Sequence, residues 1–409
     1  MRYFDLPPVI EQMLAVADTI SDLNFSVGQP PQVEVNGRLE SVEPLGLRRL
    51  TPYQTEVIAM TLLAGNPEAA HRLAHTGSAD LSYSLPARVR FRVNIFQQRG
   101  TYSIVMRVIP TVIPTLEGMS LPSALAEVAE LRNGIVLVTG PTGSGKSTTL
   151  AAIIDLINER HRYHVVTIED PIEFLHTHKC STINQREIGS DAKDFPSALR
   201  SALRQAPKVI LIGEMRDFET TEIALEAAET GHLVLSTLHT IDASKTVDRI
   251  IGLYPKNEEQ VIRTRLSQTF RYIVSQRLIP RADGRGRVAA VEILTSTPRT
   301  REYINEGESE GKTLLDAMRD GKLEGMQDFD MVIKQMIEGG VVTREAGLSF
   351  ATNPNNLLLA LKGLAGGEGY FDDRPEPSQA PSRPANGRAY APRPAAPPRP
   401  TGSMLDLIE

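Results

Sequence analysis

Apolar residues along this chain fall into two kinds of pattern. Between residues 134 and 238, four short runs, GIVLVT, HVVTIE, KVILIG and HLVLSTL, are rich in Val, Ile and Leu, and stretches of helical spacing separate them. Short apolar strands alternating with helices predict a mostly parallel sheet covered by helices. Upstream the pattern differs. PPVIEQMLAVA has the apolar spacing of a helix, whereas QVEVNGRLESV alternates and turns at Asn36-Gly37, a hairpin signal. RVRFRVNIFQQRGTYSIVMRVI reads as two long strands joined near Arg99-Gly100.

These patterns divide the chain. Residues 1–112 are expected to form a small α+β domain. PTVIPTLEGMSLP carries Pro114 and Gly118, the composition of a linker, placed at 113–120. Residues 121–365 are expected to form an α/β domain that turns mainly helical after about 280, as in FDMVIKQMIEGG. From 366 to 409 the chain is rich in Pro, Ala, Arg and Ser. Such a segment buries too little apolar surface to offset its ordering entropy, so disorder is expected there. The closing MLDLIE reads as a plain terminus or as a short docking peptide.

Composition narrows the class. The chain has 409 residues, 41% of them hydrophobic, enough for two or three domains with cores of their own. A formal charge of -6 creates no general field for nucleic acid. Cys180 is the single cysteine, which excludes an internal disulfide and a tetracysteine zinc site and fits a reducing cytosol. The opening MRYFDLPPVIEQMLAVADTI is interrupted by Asp5, Glu11 and two prolines, so no signal peptide is expected. Runs such as IVLV and VILI have strand length and fall short of a membrane span.

The strongest chemical signal is GPTGSGKST, residues 140–148. Gly140, Gly145, Lys146 and Ser147 match the phosphate-loop pattern in order, between a strand at 135–139 and a helix carrying Leu150, Ile153, Ile154 and Ile157 on one face. Gly143 and Gly145 let the backbone approach phosphate, where successive N–H groups and the helix N-terminus favour anions. Lys146 would meet the β- and γ-phosphates of ATP, and Ser147 would hold Mg²⁺. Pro141, Thr142, Ser144 and Thr148 complete the expected nucleotide-binding loop.

Hydrolysis also needs carboxylates near the metal and the attacking water. VVTIEDPIEF offers Glu169, Asp170 and Glu173, and VILIGEMRD offers Glu214 and Asp217. Parallel strands end at one edge, beside the phosphate loop. Asp217 precedes FETTEIALEAAE and fits a helix cap. Glu214 directly follows an apolar strand and does not. The acidic residue usual in phosphate-loop enzymes would fall near Gly213, so Glu169 is the candidate for ordering the metal. TGHLVLSTLHT carries His232 and His239 at the two ends of a strand. His239, at the catalytic edge, reads equally as a structural hydrogen-bonder or as a sensor of the γ-phosphate.

Taken together, GPTGSGKST, VVTIEDPIEF, VILIGEMRD and TGHLVLSTLHT resemble, in order, the phosphate loop, aspartate box, variant Walker B and histidine box of the secretion ATPases of type IV pilus and type II secretion systems. The resemblance covers roughly residues 1–360. SDLNFSVGQPPQVEVNG, INQREIG and LRSALRQAPKVILIGEMRD are similar to the retraction branch, PilT and PilU. The lack of a tetracysteine motif and of a longer N-terminal region separates the chain from the assembly and type II enzymes. LRQAPKVILIGE and LEGMQDFDMVI look more like PilU, and PRTREYINEGES stands where PilT usually has its own C-terminal helix pattern.

The resemblance implies a PAS-like N-terminal domain followed by a RecA-like ATPase domain, assembled as a homohexamer. It implies that Glu214 is the catalytic glutamate, that Glu169 supports Mg²⁺ through water, and that His239 senses phosphate or an interface. It also implies that Arg92 and Arg107 reach from the N-terminal domain to the nucleotide phosphates, and that Arg200 and Arg204 contact a neighbouring subunit. Implied partners are the inner-membrane platform protein of the pilus and a paralogous PilT-type ATPase, at the cytoplasmic face of the inner membrane. The rival readings are an extension or secretion ATPase, a nucleotide-regulated scaffold for a paralogue, and a nucleic-acid translocase, against which the acidic charge counts.

Overall fold

The four apolar runs become neighbouring strands of one sheet in the computed structural model, which describes residues 5–17, 20–35, 37–85 and 88–362. Asn36 of the expected hairpin turn, the 366–409 segment and its closing MLDLIE lie outside the described residues.

The N-terminal half builds a six-stranded sheet from β1 (Ile20–Phe25), β2 (Gln32–Val35), β3 (Arg38–Ser41), β4 (Ser78–Leu85), β5 (Val89–Gln98) and β6 (Thr101–Ile109). The strand order is β3-β2-β1-β6-β5-β4, and every neighbouring pair is antiparallel. Arg99 and Gly100 join β5 to β6 with φ of 49° and 76°, the backbone a two-residue hairpin needs. Helices Leu6–Leu14, Pro52–Leu63 and Pro67–Thr76 cover the sheet. Thr51 and Gln54 close a capping box at the start of the second helix. Phe25, Phe91, Ile95 and Ile104 lie fully buried in this core.

One row of residues runs straight across this sheet. Asp22 on β1 faces Arg107 on β6, Arg107 faces Arg92 on β5, and Arg92 faces Ser82 on β4. Residues directly opposite one another share a face, so both arginines project from the same side.

The larger sheet contains β7 (Gly134–Thr139), β8 (His164–Glu169), β9 (Thr182–Glu187), β10 (Val209–Ile212), β11 (Leu233–Leu238), β12 (Phe270–Pro280) and β13 (Arg287–Thr295). Its order is β13-β12-β7-β11-β10-β8-β9, parallel throughout except for the β12–β13 hairpin. Every residue of β7, β10 and β11 is buried, as expected of strands with helices on both faces. The helix Lys146–Arg160 packs on one face through Ile153, Ile154 and Ile157. Helices Phe195–Ala202, Phe218–Glu229, Ala243–Ile251 and Glu259–Thr269 pack on the other.

Three strands depart from the sequence pattern. β9 is the polar segment TINQRE, an edge strand held by its pairing with β8. β12 ends at Pro280 in a stretch where no strand was singled out, and β13 lies beyond it, where mainly helical structure was expected. β13, RVAAVEILT, contains Ala and Glu that suit helices, and its long antiparallel register with β12 overrides that preference. Helix then does dominate: Pro298–Glu306, Leu314–Asp320, Phe329–Glu338, Arg344–Phe350 and Pro354–Leu361. The last three enclose a small core with Ile279, Val288 and Ala290 of the hairpin.

The two main cores separate near residues 110–112. Val108 packs with the N-terminal core, whereas Ile113 and Leu116 pack with the phosphate-loop domain. Much of the segment expected as a linker is therefore seated on the second domain, with Leu116 and Leu121 buried. Val112, between the two cores, is 82% exposed.

Candidate functional site

The end of β7 turns into the helix Lys146–Arg160 through a loop whose backbone only glycine tolerates in part. Gly140 has φ of 141°, and a Cβ there would stand 2.4 Å from the Gln276 carbonyl and 2.6 Å from Ser144 Oγ. Gly143 and Gly145 have φ of 78° and 91°, the left-handed region that other residues rarely adopt. Lys146 is buried and donates from Nζ to the carbonyls of Gly140 (2.9 Å) and Pro141 (3.1 Å). Burial pushes its ammonium below the usual lysine range, and the charges of Glu173 and Glu214 oppose that shift.

Thr142, Gly143, Gly145, Lys146, Ser147 and Thr148 line a cleft of about 550 Å³. Pro141 and Ser144 face a second cavity across the loop, with Arg277 and Phe350, and Gly140 is buried behind both. Ser144 Oγ is buried without a hydrogen-bond partner. A glycine-bent loop with exposed amides, a lysine at its base and the Ser147 hydroxyl on the cleft wall is the donor set that a nucleoside triphosphate and Mg²⁺ require. Among the described residues no three His, Cys, Asp or Glu side chains form a metal cage.

Both expected carboxylates reach this cleft from strand ends. Glu214 follows β10 and is 8% exposed. Its Oε1 pairs with Arg216 Nη2 at 2.5 Å and its Oε2 lies 3.4 Å from His239 Nε2. Ser236 and Thr237 of β11 donate to the carbonyls of Ile212 and Gly213, which fixes the backbone that presents Glu214. Glu169 ends β8, and its Oε1 accepts from Thr167 Oγ1 (2.6 Å) and Gln185 Nε2 (3.1 Å). Burial raises the Glu169 carboxyl above the usual range, these hydrogen bonds hold it back, and the Glu173 charge adds to the rise.

Of the two N-terminal arginines, the structure brings only Arg92 into the cleft. Arg107 is held from its own strand face by Asp22, with Nε 3.0 Å from Oδ1, and its side chain is 69% exposed. It does not line the cleft. His239 does, half-exposed beside Glu214. His232 lies away from the cleft and hydrogen-bonds the Ala227 carbonyl. Asp217 caps the helix Phe218–Glu229, accepting from the Thr220 amide at 2.8 Å. Arg200 is exposed and paired with Glu219 on the next helix.

Several residues of the cleft were not singled out by sequence. Leu278 and Arg287 come from the β12–β13 hairpin, which the pattern did not show. Phe174 and His176 come from the loop after β8. Arg216 sits inside the VILIGEMRD box, but only the fold shows that it faces Glu214.

Residues 47–338 match the model of the Type II/IV secretion system protein family. The chain belongs to this family. It is 42% identical over 336 residues to the Type IV pilus retractation ATPase PilT of Pseudomonas aeruginosa, covering 82% of this chain and 95% of that protein. It is 40% identical over 342 residues to the Type IV pilus ATPase PilU of the same organism, covering 84% and 88%. A crystal structure of the pilus retraction motor PilT with bound ADP superimposes with a TM-score of 0.75 at 38% identity, covering 87% of this chain and 99% of that one. The two identities are about equal, so overall similarity does not carry the leaning toward PilU drawn from LRQAPKVILIGE and LEGMQDFDMVI. Within this secretion-ATPase family, pilus retraction ATPases are homologues over most of the chain.

The cleft contains a pH-sensitive side chain. Burial pushes the His176 imidazole down to about 4. The unfolded chain therefore binds a proton between pH 6.5 and 4 that the folded chain refuses, and stability falls as pH drops through that window. From pH 6.5 to pH 5 this group should remove up to about 2 kcal/mol. In urea unfolding at the two pH values, His176→Phe should show a smaller loss than the parent protein by that amount.

Proposed function

We propose that this protein is a Mg²⁺-dependent, ATP-hydrolysing motor of the type IV pilus machinery that powers pilus retraction, and hence twitching motility. The observation that carries this reading is the single cleft holding a phosphate loop, Glu214 and Arg92, the last from the other domain. Homology to retraction ATPases over most of the chain supports it.

ATP binds with its phosphates along the amides of residues 142–148, and Lys146 neutralises the β- and γ-oxygens. Ser147 and, through water, Glu169 would hold Mg²⁺, which would supply neutralisation of the phosphate charge. Glu214 orients the attacking water and takes its proton, and Arg216 and His239 keep that carboxylate in place. Arg92 stabilises charge that builds on the γ-phosphoryl oxygens. Because Arg92 belongs to the N-terminal domain, triphosphate favours the closed domain arrangement more than diphosphate does, and this differential affinity moves the domains. Arg107, tied to Asp22 and outside its own cleft, reaches a phosphate only across a subunit boundary. In a homohexamer such movements distort neighbouring subunits and act on the inner-membrane platform protein from the cytoplasmic side.

Near-equal similarity to PilU favours a second reading, an accessory ATPase that works with a PilT-type motor. Deleting the gene in its host separates the readings. A retraction motor predicts surface pili without twitching, and an accessory role predicts twitching that persists or weakens. Loss of surface pili would point instead to an extension enzyme. On the purified protein, Lys146→Ala should abolish nucleotide binding. Glu214→Gln should bind ATP within a few-fold of the parent and lose about 100-fold or more in kcat. Turnover at the parent rate in Glu214→Gln would remove it from the mechanism.

A further inference from the structure

The segment INQREIG has no role in the chemistry above, yet the structure places two of its side chains at a junction. Gln185 and Glu187 lie two apart on β9 and so share a face. In register with them on β8 are Thr167 and Glu169. Gln185 donates from Nε2 to Glu169 Oε1 and to the Phe174 carbonyl, and its Oε1 accepts from the His176 amide at 2.9 Å. Glu187 is buried, 4% exposed, and its carboxylate takes two partners from the other domain. Ser82 Oγ donates to Oε1, and Arg90 Nη2 lies 3.2 Å from Oε2. The seat is also held from its own side: Ile172 N donates to Oε2, and Asp191 accepts from the Glu187 amide at 2.8 Å.

Ser82 and Arg90 are the immediate surroundings of Arg92. Ser82 is the register partner of Arg92, and Arg90 precedes it by two residues on the same face of β5. We propose that Glu187 is a positioning residue for ATP hydrolysis: it seats β4 and β5 against the phosphate-loop domain so that Arg92 enters the cleft. A buried ion pair adds little net stability, because desolvation offsets its attraction, but a carboxylate left without its partner is costly. Glu187 thus selects one docking geometry of the N-terminal domain. Through β8 and Gln185 the same strand end also touches Glu169, so the seat joins the arginine side of the cleft to its metal side.

This inference rests on the proposed role of Arg92, and a double-mutant cycle separates the two. Steady-state ATPase rates and fluorescent-ATP binding are measured for Arg92→Ala, Glu187→Gln, Arg90→Ala, and Arg92→Ala combined with each of the other two. Glu187→Gln and Arg90→Ala should each lower kcat about tenfold with KM within about twofold, as expected when a catalytic group is misplaced. Neither should lower kcat further in the Arg92→Ala background. Arg90→Ala tests the same contact from the N-terminal domain should Glu187→Gln fold poorly. Full activity in both single variants, or losses that multiply with that of Arg92→Ala, would overturn the inference and leave the Arg92 reading standing. An unimpaired Arg92→Ala would instead overturn the Arg92 reading, and this inference with it.

Discussion

Placing a lysine under a bent loop, in a cleft that also holds two buried or strand-end carboxylates, is the constraint on which this structure turns. Burial alone would drive Lys146 toward its neutral form. The nearby Glu173 and Glu214 charges oppose that shift, and Nζ donates to the Gly140 and Pro141 carbonyls. The loop backbone that makes this possible cannot be built with a side chain at Gly140, because β12 passes too close at Gln276. The central strands, their helices and the β12–β13 hairpin thus all bear on the placement of one ammonium group.

The same economy governs the contact between domains. The N-terminal sheet lines up Asp22, Arg107, Arg92 and Ser82, but its charges have different fates. Asp22 neutralises Arg107 within the sheet, and the other domain's Glu187 takes Arg90 and Ser82. Arg92 is left facing the cleft. A charged residue with no fixed partner among the described residues of its own sheet is what a nucleotide phosphate can recruit, and recruitment requires the two domains to meet. The stretch around Val112 lies exposed between the two cores.

Much of this was legible in the sequence, and the reasons for the gaps are physical. β7, β8, β10 and β11 announce themselves because strands covered on both faces need unbroken apolar runs. Asp217 as a cap and Glu214 at a strand end followed from the same spacing. β9 was invisible, since TINQRE carries almost no apolar pattern and owes its form to β8. β13 was hidden by Ala289, Ala290 and Glu292, which suit a helix until β12 pairs with them. Arg92 and Arg107 are equivalent in the alternating pattern. What separates them is Asp22, a partner 85 residues away that only the folded sheet brings opposite.

The central claim is that triphosphate draws the N-terminal domain onto the phosphate loop through Arg92. Spin labels at Arg99 and Arg162, both exposed, would report the distance between the domains once the exposed Cys180 is replaced by Ser. The account predicts a narrow, shorter distance distribution with Mg²⁺ and a non-hydrolysable ATP analogue, a broader or longer one with ADP, and loss of that difference in Arg92→Ala. Identical distributions with both nucleotides in the parent protein would contradict it.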